Sequence, residues 1–149
     1  KEFYDKAVAH AGGFDSLYCD SFDLQYEMIE LLKPSVVGHF DLIRLYDAEY
    51  KNRLLQPDIM ARIQRNLQLI KDLDLIMDFN LRSLLKGADE PYISRVILEM
   101  AYQMDIAVVP GDDSHGLSSI GVNMADAVNI LENLGYSTRW KKPTLLHYR

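Results

Sequence analysis

The chain has 149 residues, 48% of them apolar and 26% charged, which suffices for a buried core under a soluble surface and excludes a disordered tail, a fibre or a disulfide-stapled miniprotein. Twenty-two acidic residues against sixteen basic ones give a net charge of −6, and the basic residues are scattered, which argues against a nucleic-acid-binding face. No apolar run approaches the roughly 20 residues of a membrane helix, no signal segment opens the chain, and the lone Cys19 can neither pair internally nor join a cysteine zinc site, so a reduced, cytoplasmic setting is expected.

In chain order, residues 1–11 predict a helix stopped by Gly12-Gly13. Phe22, Tyr26, Ile29 and Leu32 recur at helical spacing after Asp20-Ser21, a good N-cap pair, and Pro34 ends that run. Residues 35–39, Ser-Val-Val-Gly-His, read as a short strand. A helix is predicted from Pro57, with Ile59, Ile63, Leu67 and Ile70 on one face. Leu75 to Asn80 reads as a second strand, followed by a glycine-containing loop to Tyr92. Val96, Ile97, Met100, Ala101 and Met104 mark another helix, and Ile106 to Val109 a third strand, opening into Pro110-Gly111-Asp112-Asp113-Ser114-His115-Gly116. Met124, Ala127, Val128, Leu131 and Leu134 mark the last helix, ended by Gly135. Residues 136–140 are expected to form a final strand.

Helix and strand therefore alternate three times, and short strands that are apolar throughout suit an α/β fold with a parallel sheet covered on both faces. His39, Asp78 with Asn80, and Asp113 with His115 all fall just past a strand's carboxyl end. Parallel strands place those ends on one edge, where α/β proteins build their sites. Three or four strands do not close a barrel, so the chain is either a small open α/β domain or the C-terminal part of a barrel. Its start at Lys1, inside a helical pattern, favours the second.

Asp113-Ser114-His115 is the strongest local signal. Residues two apart on an extended segment point to the same side, so carboxylate and imidazole can share one divalent metal, with Zn, Mn or Fe as the suited ions. The plainer alternative is a turn in which Asp112 or Asp113 caps a helix. His39, expected on the same edge, is otherwise a buried core histidine; Asp41 could orient its ring or cap a loop. Arg44, Arg82 and Lys86 lie near strand ends and suit an anionic substrate, with solvated surface positions as the alternative. His10 and His147 have no acidic partner nearby and receive no role. No nucleophile elbow, phosphate-binding Gly-Lys-Ser/Thr loop or dinucleotide fingerprint is present.

Three segments carry a resemblance across most of the chain and in order: Phe22 to Met28 with Lys33-Pro-Ser-Val-Val-Gly-His-Phe-Asp-Leu-Ile-Arg44; Asp78-Phe-Asn80 with Lys86-Gly-Ala-Asp-Glu-Pro-Tyr92; and Gly111-Asp-Asp-Ser-His115. They resemble histidinol phosphatases of the polymerase-and-histidinol-phosphatase (PHP) superfamily, the fungal type in particular. The resemblance implies the C-terminal part of a single distorted (β/α)7 barrel, spanning 1–149, with a multinuclear divalent-metal site. It implies hydrolysis of L-histidinol phosphate to L-histidinol and phosphate in histidine biosynthesis. On the matching positions His39, Asp113 and His115 would hold metal, with Asp113 and His115 the catalytic pair. Arg44 would lie near the substrate phosphate and Asn80 at the pocket edge. The family's Gly-Leu-Arg-Lys stretch reads Ser83-Leu84-Leu85-Lys86, so Leu85 stands where an arginine is expected and Arg82 is the nearby replacement. The family's early motifs, beginning with a His-x-His, have no counterpart in this chain. Two alternatives follow: another PHP-superfamily phosphoesterase, or an inactive structural α/β piece lacking the full ligand set.

Overall fold

The structure is a computed structural model and describes residues 1–144, which leaves His147 outside the described residues. The chain forms two compact units interleaved in sequence, Lys1–Lys33 with Leu42–Leu69, and Pro34–Asp41 with Ile70 onward.

The first unit is helical. Helix α1 (Glu2–Ala11) ends where Gly12 takes the left-handed conformation at φ 88°, as the Gly-Gly pair predicts. Helix α2 (Phe14–Leu32) starts well before the expected Asp20-Ser21 cap. Tyr18 explains the difference. It lies one turn ahead of Phe22, is fully buried, and extends the apolar row Tyr18, Phe22, Ile29 toward the N-terminus, so tertiary burial overrides the cap propensity of Asp20 and Ser21. A 3-10 turn (Leu42–Tyr46) and a short helix α3 (Tyr50–Leu54) were invisible to periodicity because each spans little more than one turn. Helix α4 (Pro57–Asp72) begins at Pro57 as expected, and Ile59, Ile63 and Leu67 are buried at i, i+4 and i+8.

Polar groups fix the register of these helices. The buried Asn66 amide donates to the Phe22 carbonyl at 2.8 Å and to Gln25 Oε1 at 3.0 Å, which satisfies a donor that would be costly to bury unpaired. Asp23 meets Arg62 at 2.9 Å and Arg65 at 2.8 Å. Asp47 accepts from the Tyr18 hydroxyl at 3.0 Å, the Glu49 N–H at 2.9 Å and Arg53 Nε at 2.5 Å. Cys19 is half-buried here, and burial pushes its thiol up, away from reactivity.

The second unit is built on a parallel sheet in the order β1-β2-β3, with β1 Val36–Val37, β2 Ile76–Asn80 and β3 Ala107–Gly111. The register pairs Val36 with Ile76, Asp78 with Val109, and Asn80 with Gly111. Period-2 alternation then puts Val36, Ile76, Asp78, Asn80, Val109 and Gly111 on one face, while Val37, Met77, Phe79 and Val108 are buried on the other. Strand β1 is shorter than expected because Gly38 leaves the ladder and His39 turns at φ 50°.

A one-turn helix α5 (Arg82–Leu85) interrupts the expected loop. Helices α6 (Arg95–Gln103) and α7 (Met124–Leu134) pack against β3, burying Ile97, Leu98 and Ala101 from α6 and Ala127 and Leu131 from α7. Residues 136–140 form no strand, contrary to expectation. The Tyr136 N–H is spent on the Leu131 carbonyl at 3.0 Å, closing α7 after a left-handed Gly135 (φ 101°), and the Tyr136 ring packs edge-on against Tyr102. No helix among the described residues is long and apolar enough to cross a membrane.

Candidate functional site

The site lies at the carboxyl ends of the three strands, within the second unit. The turn after β1 carries His39 and is anchored by Asp41, whose Oδ2 accepts from the Ser94 N–H at 2.9 Å and from the Ser94 hydroxyl. Of the two roles open to Asp41, the structure shows the loop anchor; the carboxylate against the His39 ring is Asp113's. The turn after β3 is shaped by Asp112, which accepts from the Ser114 N–H at 3.3 Å and the Gly121 N–H at 2.6 Å. Asp112 thus takes the turn role that left Asp113 available. His39 and Asp113 both sit at φ 50°, a region that non-glycine residues adopt at a cost and that clusters at functional sites.

These turns bring the three chain segments together. His39 Nε2 donates to Asp113 Oδ2 at 3.1 Å, and His115 Nε2 lies 3.3 Å from Asp113 Oδ1, so one carboxylate bridges two imidazoles. Asn80 joins from β2. Its amide donates to Asp78 Oδ2 at 3.0 Å and also supports Asp113, while its Oδ1 accepts from the Arg82 N–H at 2.9 Å. The Tyr92 ring stands 5.9 Å from the His39 ring, on a segment bridged by backbone hydrogen bonds to Asn80.

The two carboxylates have opposite electrostatics. Partial burial opposes ionisation of Asp113, but hydrogen bonds from His39 and Asn80 and the fields of His39 and His115 outweigh it and hold the carboxyl below its usual range. Burial pushes Asp78 up, offset only in part by Asn80 and His39. Asp113 is the more readily ionised of the two, with both oxygens facing imidazole nitrogens.

The donor types suit a metal, and the spacing fits pairwise. Two ligands held tetrahedrally about 2.0–2.1 Å from one ion lie about 3.3 Å apart. The His39–Asp113 and His115–Asp113 separations of 3.1 and 3.3 Å match such an edge. Yet among the described residues no group of three or more His, Cys, Asp or Glu is arranged to hold one ion.

Of the expected substrate-binding residues, Asn80 is in the cluster. Arg82 touches it through its backbone, and its buried Nε has no hydrogen-bond partner among the described residues. Arg44 belongs to the first unit, where it is buried with its guanidinium 4.7 Å from the Tyr50 ring centre. Lys86 and Leu85 are exposed on and after α5. Sequence reasoning missed Tyr92 and Gly111. A Cβ at Gly111 would collide with Asp78 Oδ1, and the one available signal was a glycine closing a strand beside a carboxylate-bearing one.

The fold and site define an α/β unit that gathers imidazole and carboxylate groups at the carboxyl edge of a parallel sheet. No family profile matches the chain. Individual proteins do. A Schizosaccharomyces pombe protein assigned as a histidinol-phosphatase is 30% identical over 140 residues, covering 92% of this chain and 46% of that protein. The Saccharomyces cerevisiae histidinol-phosphatase is 30% identical over 68% of this chain and 37% of its own length. A Listeria monocytogenes crystal structure assigned as the histidinol phosphatase HisK superposes with a TM-score of 0.71 at 28% identity, over 80% of this chain and 46% of that one. In sequence and in fold the chain is similar to histidinol phosphatases, and it spans less than half the length of the curated relatives it matches.

Proposed function

We propose that the chain carries part of the active site of a metal-dependent phosphomonoesterase that hydrolyses L-histidinol phosphate. The supporting observation is the meeting of His39, Asp113 and His115 at one edge of the sheet, in a chain whose relatives bear that name. Asp113 would be shared between ligand positions, with His39 and His115 flanking it. A divalent ion held there supplies Lewis-acid polarisation of phosphoryl oxygens and lowers the pKa of a water.

The chain's own residues do the positioning. Asn80 fixes the Asp113 carboxylate, the Asp112 turn presents Asp113 and His115 together, and Asp41 sets the His39 turn. Arg82, whose Nε has no hydrogen-bond partner among the described residues, is a nearby cation suited to a phosphoryl oxygen. The acidic net charge of −6 makes such local positive charge necessary for an anionic ester.

A second reading, a structural α/β piece without turnover of its own, is favoured by the lack of a three-donor group among the described residues. Phosphate release from L-histidinol phosphate, assayed with Mn, Zn or Fe added, separates the two. The first reading expects metal-dependent release that Asp113→Ala lowers by about 100-fold or more. Metal-loaded wild type with no release favours the second.

A further inference from the structure

Beside the cluster lies a cavity of about 480 Å³ along the open face of the sheet. Its floor is apolar, formed by Val36, Ile76 and Val109, and its end is polar, formed by Gly38, His39 and Asp78. Glycines flank Asp78 on both sides. Gly38 follows β1, where a Cβ would stand 3.9 Å from Asp78 Oδ2, and Gly111 closes β3, where a Cβ would strike Oδ1. Gly111 thus gives the Asp78 carboxylate room to lie against β3, and the carboxylate lines the cavity. Oδ2 is held by Asn80, while Oδ1 carries no hydrogen bond among the described residues. Lys141, the cation on the cavity wall, does not neutralise it, because its ammonium is held 2.6 Å from Asp74. Among the described residues no lysine or arginine offsets Asp78; the His39 ring does so only in part, and a half-buried carboxylate with one oxygen left over is set up to receive a cation from a ligand.

We propose that Asp78 is a specificity-determining residue whose carboxylate receives the ammonium group of an amino-bearing phosphate ester, with the ester's apolar body on the Val36–Ile76–Val109 floor. The inference rests on the phosphatase reading and deepens it. In L-histidinol phosphate the amino-bearing carbon is one bond from the ester methylene, so the amine and phosphate subsites must be neighbours. Asn80 links them here, since it contacts both Asp78 and Asp113.

Calorimetric titration in the presence of a chelator, with L-histidinol and with its deamino analogue 3-(imidazol-4-yl)propan-1-ol, tests the amine subsite apart from any metal. Wild type is expected to bind L-histidinol about tenfold more tightly than the analogue, and Asp78→Asn to bind both alike. Equal binding by wild type, no binding of either compound, or a preference retained in Asp78→Asn overturns the proposal; the wild-type comparison holds even if the variant folds poorly. Hydrolysis of the two corresponding phosphate esters by metal-supplemented wild type separates the readings. Comparable turnover of both overturns the amine subsite and leaves the phosphatase reading in place. Turnover of neither overturns the phosphatase reading, and the amine subsite with it.

Discussion

Asp47 and Asp113 are both carboxylates held below the usual range against the opposing effect of burial, and they serve different ends. Asp47 is nearly inaccessible and receives Arg53, the Glu49 N–H and the Tyr18 hydroxyl, so its task is structural. Its folded pKa lies below the unfolded value of about 3.9, so its contribution is present above that value and is lost as pH falls from it toward the folded pKa. Asp47→Ala leaves the Tyr18 hydroxyl and the Glu49 N–H without their acceptor and Arg53 with Asp15 alone, and is expected to cost about 1–3 kcal/mol at pH 7. The variant should also show a flatter loss of stability below pH ~4, measured by urea melts over a pH series. At the site, Gly111→Ala drives a methyl group into the Asp78 carboxylate, and a loss of about 1–3 kcal/mol is expected in thermal melts. A wild-type melting curve there would show that Asp78 moves aside freely.

At the scale of elements, α2 shows how burial decides where a helix begins. Ser21 sits inside α2 rather than at its start, so Ser21→Ala should change stability by less than about 0.5 kcal/mol, against about 1 kcal/mol lost from a true N-cap. A drop of the larger size in chemical denaturation would restore the cap. Helix α4 is the opposite case, legible from its Pro57 start and its Ile59–Ile63–Leu67 stripe. Leu67→Ala empties a fully buried position and is expected to cost about 2–5 kcal/mol. The strands were legible as apolar runs ending in polar residues, and their parallel pairing followed from the helices between them. What those runs could not show was the length of β1, because the left-handed turn at His39 is a backbone choice fixed by the Asp41–Ser94 anchor.

For the whole molecule, the chain forms two compact units with separate tasks: helical packing pinned by Asp23, Asp47 and Asn66 in one, and the sheet with its polar edge in the other. A ligand that binds only the folded sheet unit stabilises it by mass action, about 2.7 kcal/mol at a hundred times its dissociation constant. On the proposed metal site, adding Mn or Zn at that excess is expected to raise the melting temperature by about 10–20 °C, at ~4–8 °C per kcal/mol for a small unit, and EDTA to reverse the rise. Asp113→Ala should abolish the shift; a shift that survives in the variant places the ion elsewhere.

The amino-acid sequence by itself determined the α/β class, the parallel strands and the polar residues at their carboxyl ends, because hydrophobic period and the chemistry of strand termini are local properties. It also carried the likeness to histidinol phosphatases, residue by residue. Only the tertiary structure decided that Asp113 bridges His39 and His115, that Asp41 anchors a turn, that Tyr136 closes a helix instead of pairing as a strand, and that Gly111 makes room for the Asp78 carboxylate. Those facts depend on which distant segments meet, and separations of 74 residues such as His39 to Asp113 are bridged by the sheet, which local sequence does not encode.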